Sequence, residues 1–230
     1  MHALIISIIA ILVLAIIHLW SVDKNPGLWK KNLFSITGGM SVAYIFVDLL
    51  PQLSKGQLIW ATTNPHLPFL EKHVYFLALI GVLFFYGIEK IPFKSRSGLF
   101  WTHASAYFIF NFLIGYTLSN PNDPEIQPYI LFTIAIACHA WIRDHLLSAK
   151  YPKVFAQQAR FYLAGALVLG WGIGRLLEIH AAAIALIIAF IAGSVMVNIF
   201  HYELPSDKSK HFLHFLGGGI AYGILLLFLG

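Results

Sequence analysis

Polar residues break the chain into eight apolar runs, at 2–20, 34–53, 73–91, 99–118, 127–148, 157–176, 179–201 and 211–229. Each approaches the roughly 20 residues that a helix needs to cross a bilayer. The breaks carry turn chemistry: Lys24, Asn25, Pro26 and Gly27 after the first run, Pro65 and Pro68 after the second, and Asn120 to Pro124 after the fourth. An unpaired peptide group in hydrocarbon is too costly, so each run is expected to be helical. The pattern therefore predicts an all-α fold, a polytopic membrane bundle of eight transmembrane helices. The runs and short loops use nearly the whole chain, which reads as one integral membrane domain spanning 1–230.

Composition strengthens this picture. Hydrophobic residues make up 59% of the chain and charged ones only 11%, against about 25% charged in soluble domains. Cys138 is the lone cysteine, so no intrachain disulfide can form. The first run lacks a basic start and a small-residue cleavage site, and reads as a retained span. The loops joining spans 1–2, 3–4, 5–6 and 7–8, with their flanks, carry eleven Lys and Arg, whereas the other side carries Lys55, Lys72 and Arg175. Under the positive-inside rule the first set is cytoplasmic and both termini face the non-cytoplasmic side. This asymmetry also accounts for the basic pI, so membrane lipid and not nucleic acid is the expected partner.

Part of the second run is echoed in the seventh. Residues 38–51 align with 192–205, with identities at Gly39/Gly193, Ile45/Ile199, Phe46/Phe200, Leu50/Leu204 and Pro51/Pro205. These two spans run in opposite directions by the charge rule. Similar segments of opposite direction predict an inverted repeat relating spans 1–3 to 6–8, a transporter architecture.

Ionisable groups within the runs are functional candidates because burying them in lipid is expensive. They are His18, Asp48, His103, His139, Arg143, Asp144, His145 and His201. His139 and Arg143, four apart, share a helix face, and Asp144 lies about 100° round from Arg143. His103 and Tyr107 share a face of span 4 at a matching depth, which makes His103, His139 and Asp144 a candidate cluster. Arg143, the only Arg or Lys well inside a span, must find an acid or reach the interface; Asp144 and Asp48 are the candidate counter-charges. A plainer alternative makes Arg143, Asp144 and His145 the cytoplasmic end of span 5. His211 and His214 form a further imidazole pair at the start of span 8.

These segments resemble the ZIP family of divalent metal transporters. Asp48-Leu49-Leu50-Pro51-Gln52 is similar to the family's HLLPE segment of span 2. Gly81 through Glu89 resembles the end of its span 3, and Ala192-Gly193 through Glu203-Leu204-Pro205 its span 7. The resemblance implies eight spans, outward termini and transport of zinc or a similar divalent ion, with no enzyme activity and no required cofactor. It also implies metal ligation by His103, His139 and Asp144 and, for protein partners, a homodimer. The metal motifs are degenerate. Where the family has HNxxD/EG, this chain keeps only His103, with Ala104 and Tyr107 at the asparagine and acid positions. Where the family has HExPHE, it keeps His139 and Asp144, with Ala140 for an acid and Arg143 for the bridging ligand. A guanidinium cannot ligate a metal. It also repels a neighbouring cation by about 4 kcal/mol per unit charge at 4 Å and an effective dielectric of 20. Two alternatives follow: a degenerate relative that lost the binuclear site and serves as an anion carrier or membrane scaffold, and an intramembrane metal-dependent hydrolase.

Overall fold

The computed structural model describes residues 2–20, 28–63, 72–92, 95–119, 126–204 and 210–229. All secondary structure among them is helical. Eight long helices follow one another: α1 (His2–Trp20), α2 (28–63), α3 (His73–Lys90), α4 (Arg96–Leu118), α5 (Ile126–Lys150), α6 (152–176), α7 (181–203) and α8 (Lys210–Leu229). Five of the eight, α2, α3, α5, α7 and α8, are long and apolar enough to cross a membrane, and α1 adds a shorter apolar stretch, Leu4–Trp20. The loop residues Lys24 to Gly27, Pro65, Pro68, Asn120 to Pro124, Pro205 and Lys208 lie outside the described residues.

Side-chain placement is inverted relative to a water-soluble protein. Ile9, Leu12, Phe76, Leu83, Val168, Leu169, Leu213 and Leu227 are at least half exposed, while Ser7, His18, Asn111, His139, Arg143, Asp144, Ser194 and Asn198 are buried. Soluble monomers rarely expose apolar patches of this extent. Buried polar groups beneath a lipid-compatible coat are the pattern expected of a bundle in a bilayer.

Three helix pairs make the most extensive contacts: α2 with α8, α3 with α7, and α4 with α6, while α1 packs on α5 and α6. Glycine sets the first two crossings. A Cβ on Gly39 would strike the Phe215 carbonyl, and one on Gly218 would strike that of Ile36. In the other pair, a Cβ on Gly193 would strike the Ala78 carbonyl and one on Gly81 that of Phe190. Small residues let backbones approach in this way in lipid, where packing replaces the hydrophobic effect as the driving force between helices. Gly115 and Gly170 play the same part between α4 and α6.

Three π turns interrupt the helices, at Ile45–Leu49 in α2, Phe155–Ala159 in α6 and Ile199–Glu203 in α7. The first corrects the expected extent of span 2. The apolar run predicts an end at 53, and proline, which supplies no N–H, normally breaks a helix. Instead the chain widens by a residue ahead of Pro51, with the Leu50 N–H reaching Ile45 O, and continues to Thr63. Asp48 lies on this π turn, toward the end of the apolar part of the helix and ahead of the polar Gln52, Ser54 and Lys55. Only Tyr151 separates α5 from α6, its N–H bonding Leu147 O at 2.9 Å while its carbonyl accepts from the Phe155 N–H at 3.0 Å. Pro152 opens α6 at a position where the missing N–H costs nothing.

Candidate functional site

The interior charges meet where α1, α4 and α5 converge. Asp144 is fully buried and Arg143 is 5% exposed. The helix α5 that carries them continues through Lys150. His18, near the end of α1, hydrogen-bonds Asp144 Oδ2 through Nδ1. Its Nε2 lies 2.9 Å from Asn111 Nδ2 on α4. The amide must donate there, so the network assigns the proton of a neutral His18 to Nδ1, facing the carboxylate. Asn111 Nδ2 also donates to Leu163 O of α6 at 3.2 Å, and Asn111 Oδ1 accepts from Arg143 Nη2 at 3.2 Å. Arg143 Nε and Asp144 Oδ1 stand 3.7 Å apart, which closes a ring of four residues on three helices.

Two aromatic rings flank the guanidinium. Its carbon lies 4.5 Å from the centroid of Tyr107 and 5.4 Å from that of Phe110. Both rings offer their π electrons to the cation, a contact that gains strength away from water. The Tyr107 hydroxyl in turn donates to Asn198 Oδ1 at 3.2 Å, and Asn198 Nδ2 donates to Ser194 O at 2.8 Å. The polar ring is thereby tied to α7 just ahead of its π turn. Arg143 Nε and Nη1 and Asp144 Oδ1 make no hydrogen bond within the described residues.

The expected metal cluster does not assemble. Among the described residues, no three His, Cys, Asp or Glu side chains stand close enough to share a metal ion. His103, His139 and Asp144 are thus not gathered at one point. Asp144 is committed to His18. His139 is buried, with its ring 5.9 Å from that of Phe110. His103 is half-buried and within electrostatic reach of Glu89 and Lys150. Glu89 pairs with His201 at 3.3 Å. The physical reason lies in Arg143: its charge and bulk require an acid and aromatic neighbours, and these occupy the face that metal ligands would need.

Asp48, proposed as a counter-charge to Arg143, pairs elsewhere. It accepts from Gln52 Nε2 at 2.6 Å, one helical turn along α2. Asp144 is the acid beside Arg143. His145 is buried and stacks on Phe34, with centroids 4.8 Å apart. Sequence reasoning noticed His18 but gave it no role, and passed over Asn111 because an uncharged amide in an apolar run does not stand out. Its one signal was polarity, as the sole Asn within span 4. A comparison with protein-family models finds no match, and no curated protein matches the chain.

Proposed function

We propose that this chain is a degenerate relative of the ZIP transporters, an inverted-repeat bundle that carries a small monovalent anion in place of a divalent metal. The repeat reading draws on matched geometry. Gly39 and Gly193 each precede a π turn by six residues, and each crosses a partner helix at a glycine, Gly218 or Gly81. Four residues beyond each partner glycine stands an aromatic that reaches a central helix. The Tyr222 hydroxyl donates to Leu131 O of α5 at 2.7 Å, and the Phe85 ring lies 5.8 Å from that of Tyr107 on α4. These correspondences pair α2 with α7 and α8 with α3, as an inversion of spans 1–3 onto 6–8 requires.

The anion reading rests on one observation: a buried guanidinium in the bundle interior with two N–H positions, Nε and Nη1, that make no hydrogen bond among the described residues, Nε standing 3.7 Å from Asp144 Oδ1. A purely structural arginine would be saturated, since leaving donors unmade in a low-dielectric interior costs about 1–3 kcal/mol each, and more for a charged group. A dication beside Arg143 would be repelled, whereas a small oxyanion supplies the missing acceptors. The test is flux into proteoliposomes. Wild type should move nitrate or formate and not zinc, and Arg143→Gln should move neither. Zinc uptake that His103→Ala abolishes would restore the metal-transport reading. Absence of all flux would leave a membrane scaffold.

A further inference from the structure

The Arg143 ring does not use Asp48, although a carboxylate within an apolar run is as costly as any group in the chain. Its surroundings are rich in oxygen. Asp48 lies on the π turn Ile45–Leu49, and Gln52 holds its Oδ2. The Tyr44 hydroxyl, one turn back on the same face, is within electrostatic reach of Asp48. Tyr44 is 1% exposed, and its hydroxyl faces Asp48 and Gln52 without a hydrogen bond of good geometry among the described residues. Pro51 adds another acceptor. It has no N–H, so the carbonyl it would serve, Val47 in α register or Phe46 in π register, lacks its helical donor. Tyr222 of α8, whose hydroxyl donates to Leu131 O of α5, is also within electrostatic reach of Asp48.

We propose that Asp48, the Tyr44 hydroxyl and the carbonyl freed by Pro51 form a binding site for a monovalent, oxygen-preferring cation such as sodium. Carboxylate, hydroxyl, amide and carbonyl oxygens are hard donors that suit alkali and alkaline-earth ions, whereas zinc and copper favour the imidazole and thiolate that this cluster lacks. The count of charge then selects valence. Asp48 is the one carboxylate in the cluster and Lys55 is already within electrostatic reach of it, so a dication would leave a larger unbalanced positive charge than a monocation. Interrupted helices that present carbonyls at mid-membrane are a known way to hold such ions. In α7 the matching π turn places Tyr202 where α2 has Asp48, so the site belongs to one repeat only.

The experiment is thermal unfolding of the purified full-length protein in nanodiscs, in sodium chloride against choline chloride at equal ionic strength. Sodium should raise the Tm of wild type saturably, by about 2–6 °C at concentrations well above Kd. Asp48→Asn should abolish the rise, and Tyr44→Phe should weaken the apparent affinity at least about tenfold. Should Asp48→Asn fail to fold, Tyr44→Phe together with radiolabelled sodium binding to wild type carries the test. Equal Tm in sodium and choline would overturn the proposal. So would a sodium shift that survives Asp48→Asn, or a larger Asp48-dependent shift with calcium or zinc. The readout is cation binding alone, so it stands or falls independently of anion flux.

Discussion

The α2–α8 and α3–α7 pairs share a backbone plan and differ in what they carry on it. Each crosses at reciprocal glycines, each widens into a π turn six residues later, and each sends an aromatic to a central helix. In the first pair the π turn holds Asp48, which accepts from the Gln52 amide and is faced by the Tyr44 hydroxyl and Lys55. In the second it holds His201, nearly half exposed and paired with Glu89. Close packing is thus common to the two helix pairs, whereas chemistry is not. Backbone contacts at glycine tolerate almost no variation, while polar residues on the same scaffold are free to diverge toward separate tasks.

Substitutions can break or sharpen this contrast, and the largest effect is expected at the buried ring around Arg143. Asp144→Ala would leave Arg143 buried without its neighbouring acid, and should cost about 3–5 kcal/mol in chemical or thermal unfolding. A loss below about 1 kcal/mol would mean that Tyr107, Phe110 and Asn111 suffice for the cation. Next come the crossings. Gly39→Ala and Gly193→Ala should each lose about 1–3 kcal/mol, since either methyl meets a carbonyl oxygen. Gly217→Ala, with open space around its Cβ position, should be close to neutral. Losses at Gly39 and Gly193 that differ severalfold would break the likeness of the two crossings and count against the proposed repeat. The smallest effect belongs to the edge pair. Glu89→Gln should cost less than about 1 kcal/mol, because His201 reaches the surface and exposed ion pairs contribute little. A larger loss there would show that the α3–α7 pair also depends on an internal charge.

The sequence made the helices legible because each is written locally, as an apolar run between turn residues. It ended span 2 at 53 for a local reason too: the apolar run gives way there to Ser54, Lys55, Gly56 and Gln57, whereas the helix carries on through them to Thr63. Partnership across helices was harder to read. Arg143 plainly needed an acid, and its sequence neighbour Asp144 is the one beside it, while Asp48 has its own partner on α2. The contributions of His18 and Asn111 could not be read, because they arise from the angles at which α1 and α4 meet α5, which no spacing along one helix encodes. Matched depth did not gather His103, His139 and Asp144 into one group of three, since equal depth does not fix which way helices turn their faces.

The length of α2 bears on the membrane around it. Asn32–Thr63 alone has 32 residues, which at 1.5 Å per residue reaches about 48 Å. A typical hydrocarbon core is only about 30 Å thick. Past Pro51 the helix carries Gln52, Ser54, Lys55 and Gln57, so its surplus length is polar and suits the headgroup layer. Farther along, half-buried Trp60 stacks against His73, and an indole is the side chain best suited to that layer. The second part of α2 thus acts as a depth gauge: Trp60→Ala should let the helix shift along the bilayer normal, which a fluorophore placed near Thr63 would report.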